Sequence, residues 1–145
     1  MKSIYPYKLT FKFISQDKIS SGLVVYFILL SKFKNNFSIG PLITDKYGEI
    51  KLTRDIIIQH IENSKADYPM DYEGALDDCI GIEVKVDSIY KIKNRINRLR
   101  EFYPSEAAKL EILVENSLNG QYINNQSRYY FPIRNSKIEI KLQKS

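Results

Sequence analysis

Residues 23–30 read LVVYFILL, eight consecutive apolar or aromatic side chains with no polar residue among them. Eight residues fall far short of the ~20 that a membrane-spanning helix needs. Val, Ile and aromatic content favours an extended strand. Side chains alternate between the two faces of a strand, so a run without apolar–polar alternation predicts a strand covered on both faces. The stretch reaches Phe33 with only Ser31 and Lys32 interrupting it, and the whole of it is expected near the centre of a sheet.

The flanking segments carry other patterns. Tyr7, Leu9, Phe11 and Phe13 alternate with Lys8, Thr10 and Lys12, which predicts a strand with one dry and one wet face. Asn35-Asn36 marks a turn before a third strand at 37–43. Asp45-Lys46-Tyr47-Gly48 then reads as a tight turn into a short fourth strand at 49–52. Thr53 is placed to cap a helix over about 54–65, with Asp55 in its first turn and Ile57, Ile58 and Ile61 as its apolar face. After an irregular stretch, Ile80, Ile82, Val84 and Val86 alternate with Gly81, Glu83 and Lys85 as a fifth strand.

Asp87 or Ser88 caps a helix in which Ile89, Ile92, Ile96, Leu99 and Phe102 or Tyr103 recur at helical spacing, and Pro104 ends it. Ser105 and Glu106 open a further helix, with Ala107, Leu110, Leu113, Val114 and Leu118 on one face and Asn119-Gly120 as its stop. Two strands at 129–133 and 137–142 complete the chain, with Pro132 placing the first at an edge or bulge. The expected fold is α+β in a single domain, residues 1–145. It is a predominantly antiparallel β-sandwich or curved sheet of about seven strands with three helices, one after the fourth strand and a helical pair after the fifth.

Residues 22–53 resemble the transthyretin-like and carboxypeptidase-regulatory-like β-sandwich domains. The likeness rests on an apolar strand, a spacer and a Thr-Asp-x-x-Gly-x-x-x-Leu signature, here Thr44, Asp45, Gly48 and Leu52. The resemblance implies a non-catalytic accessory or binding domain and carries over no active-site residue. The helices after Thr53 and between Val86 and Tyr129 depart from that pattern.

Little in the chain points to catalysis. Its usual soft nucleophile and base types are one Cys79 and one His60, and each has a simple structural explanation. Asp77 and Asp78 would raise the Cys79 thiol pKa rather than activate it. There is no phosphate-binding glycine loop, no zinc spacing and no calcium loop, so no catalytic residue, metal or cofactor is expected. One cysteine leaves no internal disulfide, and the alternating N-terminus lacks a signal-peptide core, so a cytoplasmic location without a membrane is expected.

Charge is more informative. The chain has 22 basic and 17 acidic residues, net +5, yet residues 73–87 carry one basic and five acidic groups. Tyr68, Met70, Asp71, Tyr72, Glu73, Asp77 and Asp78 combine aromatic anchors with carboxylates, which suits a protein interface facing a basic partner. The expected function is a non-enzymatic protein-binding module, in its narrowest form an immunity or inhibitor protein neutralising a basic toxin or nuclease. The alternative is a nucleic-acid-associated protein using the basic helix 88–103 and the following strand, through Lys91, Arg95, Arg98, Arg128 and Arg134. Lys91, Arg95 and Arg98 share one flank of that helix, whereas Lys93 and Arg100 lie on the other. A structural or accessory β-sandwich domain of a larger assembly stands as a second alternative.

Overall fold

In the computed structural model of the chain, residues 8–15, 18–19, 21–31, 37–63, 79–115, 122–124, 128–130 and 137–144 are described. In chain order these form β1 (Lys8–Ser15), β2 (Lys18–Ile19), β3 (Val24–Ser31), β4 (Phe37–Ile43), β5 (Glu49–Thr53), α1 (Arg54–Asn63), β6 (Cys79–Lys85), α2 (Ile89–Phe102), α3 (Pro104–Glu115), β7 (Tyr122–Asn124), β8 (Arg128–Tyr130) and β9 (Lys137–Lys144). The fold is α+β, as the periodicities indicate. Two short strands, β2 and β7, fall in stretches whose polar composition reads as turn.

The strands divide between two sheets. One is antiparallel throughout, in the order β4-β3-β6-β8, with β3 in its interior. The other is built around β1: β5 pairs with Lys8–Lys12, β2 pairs with Ile14 and Ser15, and β9 runs parallel along the opposite edge with β7 beyond it. Leu9, Phe11 and Phe13 of β1 meet Val25, Phe27 and Leu29 of β3 and Ile82 and Val84 of β6 in the core between the sheets. Phe11 is fully buried there, with ring centroids 5.1 Å from Phe27 and 6.4 Å from Tyr129. The opposite face of the β1 sheet is wet: Lys12 stands between Glu49 and Glu139 in register, a row of alternating charge.

The other face of β3 is dry as well. Val24 and Tyr26 pack against Ile92 and Ile96 of α2 and Ala107, Leu110 and Val114 of α3, forming a second core. The sandwich is thus a three-layer structure at β3: sheet, sheet, helical pair. Gly40 of β4, at φ +131°, makes room for this packing, because a Cβ there would sit 3.2 Å from the Tyr26 ring.

Local chemistry explains how the chain crosses between sheets after β4. Thr44 is buried, and its Oγ1 accepts a 2.9 Å hydrogen bond from the Leu23 amide. Asp45 Oδ1 accepts from the amides of Tyr47 and Glu49 at 2.8 and 2.9 Å, and Gly48 takes the left-handed φ of +73° that closes the turn. Leu52 then enters the main core. Each residue of the Thr-Asp-x-x-Gly-x-x-x-Leu pattern therefore has a structural task. Thr53 Oγ1 accepts from the Ile56 amide and caps α1, whose Ile57 is buried and Ile56 half-buried against the core. The side chains of Ile58, His60 and Ile61 lie outside the described residues.

Three expectations need correction. A β-bulge between Leu30 and Ser31 shifts the phase of β6, so Cys79 points into the core while Ile80 is exposed. In α2 the dry stripe ends at Leu99: Phe102 and Tyr103 are exposed where the chain turns the corner. In α3 the stripe is Ala107, Leu110 and Val114, and Leu113 lies outside it, exposed. Leu118 is beyond the described residues. Pro104 opens α3 rather than merely ending α2, since its fixed φ and missing amide cost nothing in a first helical turn.

Replacing Phe11 by Ala is expected to lower stability by about 3–5 kcal/mol, the range for removing a fully buried ring. Chemical denaturation of the two proteins checks it; a loss under about 1 kcal/mol would contradict the burial.

Candidate functional site

The two sets of sequence-derived site residues fare differently. Tyr68, Met70, Asp71, Tyr72, Glu73, Asp77 and Asp78, between α1 and β6, all lie outside the described residues, as does Arg134. Of the basic set, Lys91 and Arg98 are exposed on α2. Arg95 and Arg128 are engaged in internal ion pairs.

Arg128 faces Glu83 across the β6–β8 ladder and donates from Nε to its carboxylate at 2.9 Å. Arg95 lies 3.5 Å from the Asp87 carboxylate, and its guanidinium sits 4.1 Å above the buried Tyr26 ring. Asp87 precedes the Ser88 cap, whose Oγ accepts from the Lys91 amide at 3.3 Å. Asp87, Arg95 and Tyr26 therefore clip the start of α2 onto β3. On the other flank, Arg100 pairs with Glu111 of α3 and donates to Asn97 at 2.9 Å. The basic helix is not one phosphate-tracking row: Arg95 and Arg100 fasten it to its surroundings on opposite flanks.

These pairs also dissect the acidic stretch 73–87. Glu83 and Asp87 serve the sheet and the helix start, so the excess negative charge of the region belongs to residues before Cys79. The Tyr26–Arg95 contact escaped sequence analysis because its partners are far apart in the chain and no local spacing announces them.

Two ionisable groups are buried among the described residues, on opposite faces of the same sheet: Tyr26 under the helices and Cys79 in the inter-sheet core. Burial pushes the Tyr26 phenol above its ordinary pKa, against the opposing pull of Arg95. Burial likewise pushes the Cys79 thiol up to about 11. Its Sγ donates to the Gly81 carbonyl at 3.1 Å. Both are held in their protonated, weakly nucleophilic forms. Among the described residues no three His, Cys, Asp or Glu side chains gather as a metal site, and no helix is long and apolar enough to cross a membrane.

Apolar groups meet solvent on the outer surface of the α2–α3 pair, as Ile43, Tyr47, Ile80 and Tyr130 do elsewhere among the described residues. Ile89 and Lys93 of α2 share a cleft with Val114 and Glu115 of α3, so the two helices double back on each other as a hairpin. The cleft, about 410 Å³, is floored by Ile89, Ile96 and Val114 and rimmed by Lys93, Asn97, Glu111 and Glu115. Tyr90 is 75% exposed, and Ile112, which projects from the side of α3 opposite its buried stripe, is 64% exposed. Phe102 and Tyr103 stand exposed at the corner. The helices differ in charge: α2 carries five basic residues and one acidic (+4), α3 three acidic and one basic (−2).

Two outcomes follow from these contacts. Arg95→Ala is expected to cost about 1–2 kcal/mol through loss of the stacking and ion-pair contributions, while Arg98→Ala stays within about 0.5 kcal/mol; equal effects in thermal unfolding would contradict the clip. For Cys79, a folded-state pKa of about 11 against an ordinary 9.0 means its contribution is intact below pH 9 and fades as pH rises towards 11. Stability should fall across that window by up to about 2–3 kcal/mol. The Cys79→Ala protein should show a flatter profile, as read from denaturation midpoints against pH.

Compared with known proteins, the chain matches no family model, no curated protein and no solved structure.

Proposed function

We propose that this protein is a non-enzymatic protein-binding module that docks its partner on the outer face of the α2–α3 hairpin. The observation that carries this reading is the exposure of Tyr90 and Ile112 on a helical pair with an apolar-floored cleft and a charged rim. Aromatic and aliphatic anchors within a charged rim are the composition of protein interfaces. The outer face of the β1 sheet offers the contrast: Lys12, Lys51, Lys137, Glu139 and Lys141 leave it charged, and lysine is depleted from interface cores.

The protonated states of Tyr26 and Cys79 favour binding over nucleophilic catalysis, and the resemblance of residues 22–53 to accessory sandwich domains points the same way. A single buried thiol fits a reducing compartment such as the cytoplasm. The narrower form, an immunity or inhibitor protein against a basic toxin or nuclease, draws on the charge of Asp71, Asp77 and Asp78.

Site-specific photocrosslinking in the source cells tests the surface without knowledge of the partner. A photoreactive residue at Ile112 is expected to yield a discrete protein adduct, and one at Glu139 on the charged sheet to yield none. No adduct at 112, or the same adducts at both positions, would overturn the proposal. Adding Asp71→Lys and Asp78→Lys examines the narrower form: an undiminished adduct removes the acidic stretch from the interface.

A further inference from the structure

We infer that this protein has a second binding surface, separate from the outer hairpin face, that takes single-stranded nucleic acid. It lies where the flank of α2 turned away from α3 meets the outer face of the antiparallel sheet, and it stands or falls independently of the hairpin reading.

Lys93 and Asn97 share the cleft with Glu111 and Glu115 of α3, and Arg100 pairs with Glu111, so that flank of α2 faces α3. Lys91, Arg95, Arg98 and Phe102 follow one another at spacings of four, three and four residues, which places them in a row on the opposite flank. Lys91 and Arg98 are exposed, and so is the Phe102 ring at the end of the row.

The sheet continues this row. Val84 and Val86 enter the inter-sheet core, so Glu83, Lys85 and Asp87 belong to the outer face. Lys85 is the register partner of Tyr26, the ring over which Arg95 lies, and the helix flank joins the sheet at that point. Two residues back along β6, Glu83 faces Arg128 of β8, and Gly81 faces Tyr130 beyond it. Arg95, Lys85, Arg128 and Tyr130 thus form one strip from the helix to the sheet edge. The basic surface is the flank and the strip together, not the helix taken whole.

The strip is positive at its surface even where it is paired. The Arg95 and Arg128 side chains are 34% and 57% exposed, against 11% for Asp87 and 13% for Glu83. Each pair sinks its acid and shows its guanidinium. Lys85, Lys91 and Arg98 form no ion pair among the described residues, which leaves three uncompensated positive charges. A polyanion is the complementary partner.

Tyr130 selects its kind. The ring is 55% exposed and lies over Gly81, where a Cβ would come within 3.1 Å of Tyr130 Cδ1. The glycine lets the ring lie against the sheet with its outer side open. An open aromatic face beside a cationic strip stacks an unpaired base, which a duplex does not offer.

Fluorescence anisotropy of labelled oligothymidylate and oligouridylate of about 12 nucleotides, titrated with the full chain, tests this. Contact with three to five phosphates should make binding fall about 20- to 100-fold between about 50 and 200 mM salt. Lys85→Glu, Lys91→Glu and Arg98→Glu are each expected to weaken it at least about fivefold at low salt. Tyr130→Ala should cost a similar factor and Tyr130→Phe little, because the ring and not its hydroxyl stacks. Lys141→Glu makes the same charge change on the β1 sheet and should stay within about twofold of wild type, with circular dichroism confirming that every variant is folded.

No binding of either oligonucleotide at low salt, tighter binding of a duplex of the same length, or a loss from Lys141→Glu equal to that from Arg98→Glu would each overturn the inference. Binding to phosphatidylserine vesicles without binding to either oligonucleotide would also overturn it and assign the surface to an anionic membrane. The protein adduct at position 112 reports on the hairpin alone, so the two readings fail separately.

Discussion

Keeping both faces of β3 dry is the constraint on which the rest of the structure depends. Val25, Phe27 and Leu29 on one side and Val24 and Tyr26 on the other are all buried, and each such side chain contributes roughly 1.5–3 kcal/mol only if its face is covered. One face is closed by the sheet around β1, the other by α2 and α3. Neither cover suffices alone. A two-sheet sandwich would leave Val24 and Tyr26 in water, and a sheet with helices on one face would expose Phe27 at the centre of the largest core. The order of elements follows from this need, since the chain crosses between the layers repeatedly and returns at β9 to pair beside β1.

Features that depend on near neighbours were legible in the sequence. The alternation of Leu9, Phe11 and Phe13 with Lys8, Thr10 and Lys12 is a property of one strand, and Thr44, Asp45 and Gly48 act within a single crossing. The helix starts at Thr53 and Ser88 are likewise set by one side chain reaching an amide three residues on. Features that depend on distant partners were not legible. The parallel pairing of β1 with β9 joins opposite ends of the chain. The bulge that turns Cys79 inward and Ile80 outward arises from the mismatch between β3 and β6, which the composition of either strand does not encode. Of the candidate site, the basic residues could be named but not their commitments: Arg128 meets Glu83 across 45 positions, and Arg95 meets a ring on β3.

Charge shows the same division between local and distant information. The sequence displays an acidic stretch between two basic ones, which invites separate acidic and basic surfaces. In the fold, two of those acids and two of those arginines cancel one another at the outer side of the central sheet. What survives on the hairpin is a difference between adjacent helices, and its scale is one helix spacing, about 8–10 Å. That is close to the Debye length at physiological salt, so the two helices act as distinct poles at contact and blur together farther away.

The hairpin carries apolar residues on both its inner and its outer side. Ile92, Ile96, Ala107, Leu110 and Val114 face β3 and are needed for folding whether or not anything docks outside. Tyr90 and Ile112 face away and contribute little burial to the isolated chain. A helix that served only as a cover would gain solubility by carrying polar residues at those positions, and neither α2 nor α3 lacks polar neighbours there: Asn94, Asn97 and Lys109 are all exposed. An exposed apolar residue beside a cleft with an apolar floor is therefore neutral at best for the monomer. Covering it with another surface would recover roughly 25 cal/mol per Å² of apolar area, the energy on which the proposed docking draws.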